Sequence, residues 1–113
     1  MQRLPAQLVP ATQLTAGAAS YYSAPANTGA EIQAATATNV TGTARTVTVY
    51  LVASGGAAGA TNIVVQTRTV PANSAVQLWE LIGQKVPTGA SIWALADAAT
   101  AVNLTIGGYV VNP

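Results

Sequence analysis

Residues 45–53, Arg-Thr-Val-Thr-Val-Tyr-Leu-Val-Ala, alternate with a period of two. Val47, Val49, Leu51 and Ala53 fall on one face, and Thr46, Thr48, Tyr50 and Val52 on the other. β-branched and aromatic residues fill the stretch, and neither Gly nor Pro interrupts it. The pattern predicts a central strand with one fully apolar face. Comparable runs occupy residues 11–15, 19–24, 30–41, 62–70, 75–81, 91–97 and 102–111. In 75–81, Val76 and Leu78 share one side, and Trp79 and Leu81 the other. In 91–97, Trp93 and Leu95 oppose Ile92 and Ala94. In the last run Val102, Leu104, Ile106 and Val110 line one face, with Gly107-Gly108 as a bulge or a close approach.

Turn residues punctuate these runs: Pro25 to Gly29, Gly42 to Ala44, Pro71 to Ser74, Pro87 to Ala90 and Asp97 to Thr100. Residues 82–86 read as a bent continuation of strand 75–81, kinked at Gly83. The Gly-rich stretch 54–60 is too long for a two-residue hairpin turn and reads as a mobile tip. It lacks the lysine and following helix of a phosphate-cradling loop. Ala-rich windows such as 94–101 have helical propensity. The turn spacing of about 8–12 residues and the β-branched content outweigh it.

Seven or eight short strands without a helix are best satisfied by two sheets packed face to face. The expected fold is a single-domain, all-β sandwich over residues 11–113, jelly-roll or immunoglobulin-like. Residues 1–10 carry Pro5 and Pro10 and no periodicity, so they are expected to be extended, either as a loose tail or as an arm lying on a neighbouring subunit. Adjacent Tyr21 and Tyr22 should place one ring on each face of their strand, at least one of them at an edge or interface.

Composition narrows the function. The chain has 113 residues, half of them apolar, with no Phe. Charged residues make up 6 %, against about 25 % in ordinary domains. The four cations, Arg3, Arg45, Arg68 and Lys85, are scattered, which argues against a nucleic-acid binder. No apolar run approaches the roughly 18 residues of a spanning helix, so no membrane partner is expected. The first residues make a poor signal peptide, because two prolines and Gln7 break the apolar region. A surface of Thr, Ser, Asn, Gln and Ala loses little hydration when covered. Much of it is therefore expected to lie against other protein; the plainer alternative is a neutral soluble sandwich.

Candidate chemistry is sparse. His and Cys are absent, and with them the commonest catalytic side chains and metal ligands. Glu31, Glu80 and Asp97 lie on three different predicted strands or strand ends, without the spacing of an acid pair or a calcium cage. No Gly-x-Ser-x-Gly elbow occurs. The expectation is a non-enzyme without metal or cofactor. Trp79 and Trp93 each share a face with a leucine and read as core or interface residues, with stacking on a sugar as the alternative. Asn39-Val40-Thr41 and Asn103-Leu104-Thr105 match the glycosylation sequon, which chance explains in a chain this rich in Asn and Thr.

The run Leu14-Thr15 … Tyr21-Tyr22-Ser23-Ala24-Pro25-Ala26-Asn27-Thr28 resembles the opening of small β-sandwich proteins of tailed bacteriophages. The central Thr46-Val47-Thr48-Val49-Tyr50-Leu51-Val52 with its Ser-Gly-Gly loop is similar too, as is Leu81-Ile82-Gly83-Gln84. The resemblance spans residues 11–111. It implies a virion structural protein made in the host cytoplasm. The leading role is capsid decoration, or cement, bound to the major capsid protein as a trimer or dimer on the capsid surface. A tail or fibre module is the alternative, and a carbohydrate-binding module using Trp79 or Trp93 a further one. Candidate protein contacts are Arg3, Leu4, Pro5, Leu8 and Pro10 of the arm, with Tyr21 and Tyr22. Deleting residues 1–10 should weaken capsid attachment more than it lowers the melting temperature, and an equal loss of both would point to a strand inside the fold.

Overall fold

A computed structural model describes residues 2–112, with side chains described for 4–111. Among these, the alternating runs form nine strands and no α-helix. In order they are β1 (Gln2–Gln13), β2 (Ala19–Ser23), β3 (Gly29–Asn39), β4 (Arg45–Val52), β5 (Ile63–Val70), β6 (Ala75–Gln77), β7 (Lys85–Val86), β8 (Ser91–Ala96) and β9 (Val102–Asn112). Single 3₁₀ turns occur at Ala60–Asn62 and Trp79–Leu81. The Ala-rich window at 94–101 is the end of β8 and a turn, as its β context predicted.

The strands form two antiparallel sheets packed on one core. One has the order β1-β9-β3-β6, with β7 also pairing β3; the other is β2-β8-β4-β5. First strand therefore pairs with last, second with second-last, and β4 with β5 at the centre of the chain. The alternation predicted for β4 holds across its partner: Val47, Val49 and Leu51 stand opposite Ala96, Ala94 and Ile92 on the inner face. Val47, Val49, Ile92, Ala94, Leu104 and Ile106 are fully buried. Ala provides much of the remaining core, so the sheets meet without large aromatic side chains between them.

Gly108 is a close approach. It stands opposite Ile32 where β3 carries one extra residue, between Ile32 and Ala34. A Cβ there would overlap the carbonyl oxygen of Glu31, so no larger residue fits without moving the backbone.

Three expectations need correction. Residues 2–10 are extended but are not an appendage. They form most of β1, which pairs residue by residue with β9 from Gln2↔Asn112 to Gln7↔Gly107. Leu8 and Val9 are buried in the core. Pro5 and Pro10 are tolerated because β1 is a margin strand, with only one neighbour to hydrogen-bond. Deleting residues 1–10 would thus remove a core strand, so attachment and melting temperature should fall together. Second, the strand expected over 75–81 ends at Gln77, and the segment after it yields a separate β7, which raises the count from seven or eight to nine. Third, Trp79, expected in the core or an interface on one face with Leu81, does not lie in the core or share that face. A 3₁₀ turn brings positions i and i+3 over one another. Leu78 and Leu81 turn inward, both fully buried, while Trp79 turns outward and is 67 % exposed.

Candidate interaction surfaces

The sequence-selected contact residues gather on one side of the sandwich, where β1 and β2 are the margins of their sheets and touch. Leu4 is half exposed, and Pro5 and Pro10 are exposed. Leu8 is buried and faces the core, so it is unavailable to a partner. The side chain of Arg3 lies outside the described residues. Tyr21 and Tyr22 do not point to opposite faces. A register shift between Ser20 and Tyr22 interrupts the alternation, and both rings pack against the core while half exposed. The Tyr21 hydroxyl accepts a 3.4 Å hydrogen bond from the Thr15 N–H. Burial pushes the Tyr22 hydroxyl above its ordinary pKa.

Sequence reading did not single out the outer face of the four-stranded sheet as a surface. Thr48 stands opposite Leu95, Tyr50 opposite Trp93, and Trp93 opposite Ser20. With Thr46 and Ser91 they make a sheet face bearing hydroxyls, two aromatic rings and a leucine; the Asp97–Arg45 pair stands at its Thr46 end, where the Asp97 N–H donates to the Thr46 carbonyl at 3.1 Å. Trp93 is half-buried and its indole N–H donates to Ser91 Oγ at 2.7 Å. Thr48 is buried, and its Oγ1 accepts the Thr67 N–H at 3.1 Å. That N–H belongs to a bulge in β5, where Val65 to Arg68 spans the register of Val49 to Val47, and Thr67 adopts a φ of 42°. The hydroxyl replaces the ladder bond that the bulge removes.

Among the residues with described side chains the ions stand in pairs. Glu31 meets Lys85 at 2.6 Å, Asp97 meets Arg45 at 3.9 Å, and Glu80 is bonded to Arg68. Arg68 also donates to the Gln77 carbonyl, which ties the β5 margin of one sheet to the β6 margin of the other. The Glu80 carboxyl is held below the usual range, first by its own backbone N–H and then by Arg68. Among the described residues no group of three acidic residues assembles as a metal ligand set. A groove of about 360 Å³ opens between the end of β4 and the β7–β8 turn, lined by Leu51, Val52, Ser54, Val86, Pro87 and Thr88. Two polar groups there are engaged internally: Lys85, which also lines the groove, by Glu31, and Thr88 Oγ1, which donates to the Thr28 carbonyl at 2.8 Å.

Asn39, half of a sequon, is 1 % exposed and so closed to glycosylation in the folded chain. Its Oδ1 accepts from the N–H and Oγ1 of Thr41 at 2.9 and 2.7 Å. Its Nδ2 donates to the Thr43 and Val70 carbonyls at 2.8 and 3.0 Å. The Asn-x-Thr spacing is therefore a structural knot that closes the β3–β4 turn and ties β3 to β5 across the sheets. Comparison with protein-family models, with curated proteins and with solved structures finds no match.

Proposed function

We propose that the protein is a structural component of a phage virion, a head decoration or cement protein that acts through protein–protein contact. The observation that carries this reading is the outer face of β4 and β8. Thr46, Tyr50, Ser91, Trp93 and Leu95 are partly exposed side chains with no charge among them, around the buried Thr48, on a ladder with its own hydrogen bonds made. Such a surface is cheap to desolvate and needs no ordering to bind. Half-buried Tyr and Trp are the residue types that anchor interfaces. In this reading the partner is the major capsid protein, the chain works as a dimer or trimer over joints between capsid subunits, and it resides on the virion surface.

The winding of the sandwich is compatible with this. Pairing first with last and second with second-last is the pattern of a rolled-up hairpin, which we read as a jelly roll. Fold alone does not assign a role; the phage reading comes from the sequence resemblance and the uncharged face. The test is co-sedimentation with undecorated phage heads, comparing the parent with Leu95→Glu. The variant is expected to stay folded and to lose attachment. Equal binding by Leu95→Glu overturns the assignment of the face. Partition of the parent with tails after particle disruption favours the tail or fibre module instead.

A further inference from the structure

Trp79 is the most exposed large apolar side chain among the described residues. Its turn is rigidly held. Leu78 and Leu81 anchor it in the core. The Leu78 N–H donates to the Ala35 carbonyl at 3.0 Å, and the Gly83 N–H to the Ile32 carbonyl at 2.7 Å. The indole therefore stands on a fixed base, and Ile82, partly exposed, lies on the same side of the turn.

Polar side chains are fixed on the same turn and on its neighbours. Glu80 follows it in the chain and is bonded to Arg68. Gln84 Nε2 donates to the Glu80 carbonyl at 3.1 Å. These planar polar groups are positioned by bonds that use only part of their capacity. A carboxylate offers about four acceptor sites and a guanidinium five donors, and the Gln84 amide adds an acceptor oxygen. An exposed indole on the same turn as fixed donors and acceptors suits a ring that is apolar on its face and hydroxylated around its edge. A pyranose with equatorial hydroxyls has that shape, since its axial C–H bonds form the face. A protein partner of comparable grip would want a broader apolar centre than one indole and one isoleucine.

We propose that Trp79, with Arg68, Glu80 and Gln84, is a saccharide-binding platform for β-linked pyranose chains of the glucose or N-acetylglucosamine type. The ring stacks on the indole, and its hydroxyls bond Glu80, Arg68 and Gln84. No bond is made or broken. The site lies at the β6 margin, apart from the uncharged face of β4 and β8, so it stands or falls independently of the capsid reading.

The test is titration of tryptophan fluorescence with cellohexaose and chitohexaose, using sorbitol as an open-chain polyol with hydroxyls but no ring face. The expected result is a saturable change with at least one hexaose and none with sorbitol. It should be retained in Trp93→Phe, lost in Trp79→Ala, and weakened about tenfold in Glu80→Ala. Because Trp79 is exposed, Trp79→Ala should melt with the parent, so its loss of response is not a loss of fold. No response to either hexaose, an equal response to sorbitol, or a response carried by Trp93 overturns the proposal. So does capsid attachment that requires Trp79 without any saccharide response, which would make the turn a protein contact.

Discussion

Asn39→Asp changes one atom in the knot between β3 and β5. The amide nitrogen that donates to the Val70 and Thr43 carbonyls becomes a carboxylate oxygen, and both carbonyls then face an acceptor. Losing two buried donors costs about 1–3 kcal/mol each. The retained bonds from Thr41 strengthen toward an anion and offset roughly 1 kcal/mol. The net loss at neutral pH is about 3 kcal/mol, a large share of the 5–15 kcal/mol typical of a domain. Burial and the facing carbonyls raise the introduced carboxyl above its unfolded value of about 3.9. Between those two values the native state binds more protons than the unfolded chain, so stability falls as pH rises. Lowering the pH toward 4 protonates the group, returns one donor and recovers part of the loss. The parent has no histidine, so no side chain with an ordinary pKa between 5 and 8 confuses the comparison. Urea unfolding from pH 4 to 8 reads both effects. The midpoint at pH 7 should drop by about 1.5 M for a slope near 2 kcal/mol/M, and the deficit should shrink on acidification. A variant within 1 kcal/mol of the parent at every pH would refute the account of the knot.

Gly108→Ala should lower the melting temperature by about 4–12 °C in calorimetry, from an overpacking cost of roughly 1–3 kcal/mol against the Glu31 carbonyl; an unchanged value would mean that β3 and β9 pass less closely than described. Deleting residues 2–10 removes Leu8 and Val9, worth about 1.5–3 kcal/mol each in burial, together with most of the β1 ladder. Circular dichroism should show no cooperative melt, and a melt like the parent's would restore the arm to an appendage. The folded Glu80 carboxyl has a lowered pKa, so it adds stability above its unfolded value and loses it as pH falls through the folded one. Glu80→Gln should therefore flatten the parent's loss of stability between about pH 5 and 3, as urea midpoints would show, by a small amount because the pair is exposed. A parent and variant with parallel acid limbs would refute it.

The alternating runs made the sandwich legible. Period-two patterning needs no tertiary context, and β3, β4, β5, β8 and β9 lie within a few residues of their expected bounds. The prolines of residues 1–10 hid β1, because a margin strand can carry them where an interior strand cannot. Trp79 was misplaced because strand alternation put it on one side with Leu81, whereas the 3₁₀ turn stacks Leu81 with Leu78 in the core and leaves Trp79 outside, and nothing local marked the switch. The paired tyrosines failed for a related reason: a single inserted residue undoes the alternation on which the face assignment rested. The outer face of β4 and β8 was visible as a pattern in each strand. Its joining into one surface depends on which strands become neighbours, and only the pairing supplies that.

The pairing of Gln2 with Asn112 sets the two ends of the described chain side by side. Tension applied between those ends would not shear the sheet. It would open β1 from β9 like a zipper, one rung after another, each rung bearing the whole load in turn. A protein wound in this way is mechanically soft when pulled by its tips and stiff when pressed on its faces.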